Sequence, residues 1–153
     1  MSSATLLTRT AAGLALASSA VHAGLVQEHL REWWGYGAFF VVASIAQGIF
    51  GLLLLALPER PHWEAQAWRH WRRRLYLAGI AGNLAMVALY VVTRTSGIPW
   101  LGPEAGSVES VAAIDLLSKA AELGVVACLA VLYRSAGHEA PDAGVAPARA
   151  PIA

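Results

Sequence analysis

Residues 111–133 read VAAIDLLSKAAELGVVACLAVLY. The run is long enough and apolar enough to cross a bilayer, which takes roughly 20 such residues. It nevertheless carries Asp115, Lys119 and Glu122. On a helix these fall at i, i+4 and i+7, which is one face. Ionisable groups in hydrocarbon cost about 2.5–3.5 kcal/mol each on insertion scales and turn toward protein rather than lipid. A single helix cannot hide such a face, so this stretch calls for a bundle with a polar interior. Asp115 can pair with Lys119 by spacing, and Lys119 with Glu122.

Three further spans supply the rest of the bundle. They cover about residues 11–30, 36–57 and 75–93, with the fourth at 111–133. The composition agrees: 57% of the 153 residues are hydrophobic and only 14% charged, too few polar groups to cover a soluble surface. The expected fold is all-α, a polytopic membrane four-helix bundle over residues 1–134. The tail 135–153, rich in Ala and Pro without periodicity, is expected to be disordered and cytoplasmic. The single cysteine, Cys128, lies in an apolar run and reads as a packing residue; no disulfide framework exists.

Every span carries one polar face. Ser18, His22 and His29 line up on the first. Tyr36, Phe40, Ser44, Gln47 and Gly51 do so on the second, and Asn83, Tyr90 and Arg94 on the third. At ~1.5 Å per residue, Gln47, Asn83 and Glu122 lie roughly 13–17 Å from a span end, near the midplane. His22, Tyr90, Asp115 and Lys119 lie in one half, and His29, Glu32, Arg94 and Glu109 at its rim. The other half is plain, as in LLLLAL (52–57). A site open at one side and closed at the other fits this better than a channel. Gly37, Ser44, Gly48, Gly51, Gly79 and Gly82 are expected to let the helices approach closely.

Arginine placement orients the chain. The loop ERPHWEAQAWRHWRRR (59–74) holds Arg60, Arg69, Arg72, Arg73 and Arg74, whereas residues 95–110 hold no Arg or Lys. Positive charge stays inside, so both termini are expected to be cytoplasmic in the inner (plasma) membrane, and His29, Glu32 and GIPWLGPEAG (97–106) face outward. Trp63, Ala67 and Trp71 share a face amid the arginines, which suggests a short interfacial helix on anionic lipid. The basic surface is too small for nucleic acid. A cleavable leader competes for the first span, given Arg9 and the small residues Val21 and Ala23; the helical pattern continuing through GLVQEHL (24–30) opposes it.

His29 and Glu32, at i and i+3, can share a metal, with Glu109, Asp115 or His22 completing the site. Imidazole plus carboxylate suits a transition metal such as copper or zinc. The competing reading makes them anchors of the helix end beside an aromatic belt at Trp33 and Trp34. His22 reads as a core histidine bonded to Asp115 or Ser18, or as part of a proton relay with Asp115, Lys119 and Glu122. No other span carries a histidine, which argues against a bis-histidine haem.

EHLREWWGYGAFFVVASIAQ (28–47) and VTRTSGIPWLGPEAGSVESVAAIDLLSKAAELGVV (92–126) resemble a group of small four-span membrane proteins of high-GC bacteria. The resemblance implies four membrane helices and supplies no activity and no catalytic residue. No Ser–His–Asp arrangement, phosphate loop or cysteine cluster appears, so a non-enzymatic role leads: an outward-facing pocket that binds a metal ion or small ligand. The residues expected to handle a ligand or proton are His22, Gln47, Asn83, Tyr90, Arg94, Asp115, Lys119 and Glu122. The alternative is a proton- or ion-coupled transporter subunit using the Asp115–Lys119–Glu122 face. Four spans enclose little space, so that reading calls for a homo-oligomer or a membrane partner protein.

Overall fold

The computed structural model describes residues 2–57 and 65–138. Within them lie four helices: α1 (Ser3–Glu32), α2 (Trp34–Ala56), α3 (Ala65–Thr95) and α4 (Ala113–His138). No strand occurs among the described residues. All four are long and apolar enough to cross a membrane, and the fold is an all-α four-helix bundle of the multi-pass membrane type.

Each boundary has a local cause. Ser2 caps α1, its hydroxyl accepting from the Thr5 amide at 3.2 Å. α1 ends where Trp33 turns extended (φ −166°), and α2 begins at the next residue. Such a tight hairpin needs its first turns in close contact. A Cβ on Gly37 would sit 2.2 Å from Leu30 Cγ, so only hydrogen fits there. At the head of α4, Asp115 sits in the first turn and its Oδ2 accepts from the Ala112 amide at 3.2 Å, the reciprocal half of a capping box.

The small-residue face of α1 explains its central position. Ala11, Ala12, Ala15, Ser18 and His22 are its buried residues. α1 packs between α2 and α4, while α3 lies along α4. α2 and α3 touch where Phe50 lies over Gly79; a Cβ there would be 2.2 Å from Phe50 Cζ and 2.7 Å from Leu129 Cδ1. Gly48 and Gly51 likewise face α1 closely, as expected. Gly82 does not: its Cβ would meet nothing within 4 Å, so its expected packing role is corrected.

The apolar core is confined to one end. Ala11, Ala12, Ala15, Leu54, Tyr76, Val125, Leu129 and Leu132 form it, with Cys128 packed against its edge. Large apolar residues cover the outside, among them Val42, Ile45, Ile49 and Leu52 on α2, Leu84 and Val91 on α3, and Leu116, Leu117 and Leu123 on α4. A surface of that kind suits lipid rather than water.

The arginine-rich segment differs from expectation. α3 runs without a break from Ala65 through Thr95, so residues 65–74 extend a membrane helix and form no separate interfacial one. Trp68 and Trp71 stack there at 5.2 Å, and Arg73 donates to the Tyr133 hydroxyl at 3.0 Å. The tail expected to be disordered from residue 135 is corrected at its start, because α4 continues to His138; Arg60, Trp63 and residues 139–153 lie outside the described residues.

Candidate functional site

The polar faces converge on the end opposite the apolar core. Glu122 is the centre. It is 0% exposed, yet Lys119 donates to both its oxygens at 2.7 and 2.6 Å. Ser18 and Ser118 donate to Oε1 at 3.2 Å each, and Gln47 Nε2 donates at 3.5 Å. A buried carboxylate survives only when paired and hydrogen-bonded; here α1, α2 and α4 all contribute to that satisfaction.

This arrangement also orients His22. A carboxylate only accepts, so the Gln47 amide must point its nitrogen at Glu122 and its oxygen at His22. His22 Nδ1 lies 2.7 Å from that oxygen and therefore carries the proton. The other nitrogen, Nε2, faces Ser118 Oγ at 3.5 Å and Glu122 Oε1 at 3.6 Å. The expected bond from His22 to Asp115 or Ser18 is thus replaced by one to Gln47. His22 is 3% exposed and its ring packs 5.7 Å from Phe40, which also lies tilted against His29 at 4.0 Å.

A second cluster sits nearer the rim. Arg94, at the end of α3, donates to Asp115 at 2.7 Å and to Glu109, and its guanidinium lies 5.0 Å from the Tyr90 ring centroid. It ties α3 to α4 and to the connecting loop. Asp115 therefore pairs with Arg94, and the expected Asp115–Lys119 pair does not form; among the described residues Lys119 pairs with Glu122 alone, and it approaches the Tyr90 ring at 5.7 Å. Asn83 stays apart from both clusters. Its amide nitrogen donates back to Gly79 O at 2.8 Å, and its Oδ1 is buried without a partner among the described residues. The Tyr90 hydroxyl is likewise buried and unpartnered.

The expected metal set does not assemble. His29 directs Nδ1 to Leu25 O at 2.9 Å, Glu109 is taken by Arg94, and among the described residues no three of His, Cys, Asp and Glu group as metal ligands. Glu32 lines the cavity without either of them as a metal-site partner.

Above the Glu122 network lies a cavity of about 690 Å³. All four helices line it. His22, Glu28, His29 and Glu32 come from α1, Trp34, Tyr36 and Phe40 from α2, Leu89, Tyr90 and Arg94 from α3, and Asp115, Ser118 and Lys119 from α4. The α3–α4 loop closes one side with Ile98, Leu101, Glu104 and Glu109. Its shape needs Gly97 (φ 66°) and Gly102 (φ 76°) in the left-handed region, and Tyr36 donates to Leu101 O at 2.9 Å, holding the loop to α2. Gln47, Asn83 and Glu122 lie outside the lining, deeper in the bundle.

Sequence spacing passed over Ser118, Glu28 and Glu104. Ser118 was findable, since it stands four residues before Glu122 on the same face. Glu104 was not, because loop residues carry no period. No protein-family model matches the chain, and no curated protein or solved structure matches it.

Proposed function

We propose that this chain is a plasma-membrane protein that binds a small organic ligand in an outward-opening cavity and does not transform it. One observation carries the reading. Four helices converge on a cavity of about 690 Å³, within the size range of ligand pockets, and its floor is a satisfied polar network rather than an apolar plug. The apolar core at the other end closes the path beyond it. Arginine placement supports the orientation: Arg69, Arg72, Arg73 and Arg74 lie at the core end, where both termini are proposed to be cytoplasmic. The geometry favours an organic ligand over a metal, because the ligating residues are dispersed or already paired. The likeness to small four-span bacterial proteins belongs to the same proposal.

The test is native mass spectrometry of the full-length protein extracted from membranes. A co-purifying small molecule is expected, and it should be lost when Leu89→Trp fills the cavity. Absence of any bound mass, with no compound in a broad panel raising the unfolding temperature, would overturn the reading.

A second reading rests on Glu122. A fully buried carboxylate paired to Lys119 and 3.6 Å from His22, directly under a cavity, is the arrangement a proton- or ion-coupled transporter subunit would use. Uptake into proteoliposomes that follows a proton gradient and is abolished by Glu122→Gln favours it. Binding without uptake favours the first.

A further inference from the structure

The charges lining the cavity fall into two groups. Both cations are already matched: Lys119 sits on Glu122, and Arg94 on Glu109 and Asp115. At the mouth, Glu28, Glu32 and Glu104 line the same cavity and make no ion pair among the described residues. Arg31, one turn from Glu28, is outside the lining and pairs with neither glutamate of α1. The rest of the lining mixes aromatic side chains with aliphatic ones such as Met86 and Leu89. Trp34, Tyr36 and Phe40 belong to the lining, and Trp34 is 70% exposed at its rim.

We propose that the occupant of this cavity is a lipophilic organic cation. The inference rests on the pocket reading above and adds the ligand's class. Its cationic group would sit among Glu28, Glu32 and Glu104, with its apolar body against the aromatic and aliphatic walls. Aromatic faces attract cations through the ring quadrupole, more strongly in a site shielded from water. An anion finds no free partner here: it would have to break the Lys119–Glu122 pair or the Arg94 clamp, and it would meet three unpaired carboxylates on entry. A metal ion finds no three-ligand group among the described residues. A neutral ligand leaves the exposed mouth carboxylates to water and gains nothing from them, whereas a cation is drawn to them. The cavity is large enough for a multi-ring cation.

The experiment is calorimetric titration of detergent-purified, full-length protein with three phenyl-substituted probes, the cation tetraphenylphosphonium, the anion tetraphenylborate of matching size, and the smaller neutral triphenylphosphine oxide. The proposal expects at least tenfold tighter binding of the phosphonium than of the other two. A Glu28→Gln/Glu32→Gln/Glu104→Gln variant should lose most of that preference while keeping its circular dichroism, since all three side chains are exposed. Leu89→Trp should remove binding altogether. Tetraphenylborate or the neutral oxide binding as well as the cation would overturn the charge class and leave the pocket reading standing. Phosphonium binding that survives Leu89→Trp would place the probe in the micelle or elsewhere, and would overturn the proposal. Binding of none of the three, with no competing compound from the membrane extract, would overturn both.

Discussion

Glu122→Gln tests whether the bundle is held by a polar network at its centre. The carboxylate has no exposure and accepts from Lys119, Ser18, Ser118 and Gln47. Removing one member of a buried pair costs about 3–5 kcal/mol, because the other charge is left uncompensated. Lys119 lines the cavity and keeps 12% side-chain exposure, so its ammonium can turn toward water. Glu122→Gln should therefore fall near the lower end, about 3 kcal/mol. Lys119→Met strands a carboxylate with no route to water and should fall near the upper end, about 5 kcal/mol. The double variant removes both charges and should cost well under the sum, with a coupling of roughly 2–3 kcal/mol. The assay is reversible unfolding in mixed micelles by SDS titration, followed by far-UV circular dichroism. Single effects that add within about 0.5 kcal/mol would refute the argument that these two side chains stabilise each other.

Gly79→Ala and Gly82→Ala form a matched pair on α3. The first places a Cβ against Phe50 and Leu129 and should destabilise by ~1–2 kcal/mol; the second meets open space and should stabilise by up to ~1 kcal/mol through helix propensity, both read in the same micelle titration. Arg94→Gln removes the link from α3 to Asp115 and Glu109. It should cost roughly 2 kcal/mol, the worth of hydrogen bonds to charged groups, and hydrogen exchange should accelerate across residues 97–112 while the core around Leu129 stays protected.

The helices and their polar faces were legible because hydropathy and the 3.6-residue period act along one chain. Spacing alone brought Lys119 within reach of Glu122. Partners on different helices were harder to read. Whether Asp115 takes Lys119 or Arg94 depends on the rotation of α3 against α4, where Gly79 lies against Leu129. His22 meets Gln47 because a one-residue break at Trp33 fixes the α1–α2 register; a longer turn would have shifted it. The pairing of His29, Glu32 and Glu109 failed for a related reason. Local spacing put His29 near Glu32, but Arg94 arrives from another helix and takes Glu109. Gly82 looked like Gly79 in sequence, and the placement of α2 and α4 around Gly79 separates them. The arginine-rich loop lost its expected break because nothing in residues 65–75 stops a helix: no proline or glycine intervenes before the span.

The central claim is that the cavity opens at the outer side and is closed at the inner side. Thiol labelling in intact cells tests it most directly, in a Cys128→Ala background. Glu104→Cys reports the mouth, Leu89→Cys the cavity wall, and Ser135→Cys the core end. A membrane-impermeant cationic methanethiosulfonate added outside should modify the first two and leave the third untouched until the cells are permeabilised. Labelling of Ser135→Cys from outside, with Glu104→Cys and Leu89→Cys reached only after permeabilisation, would contradict the account.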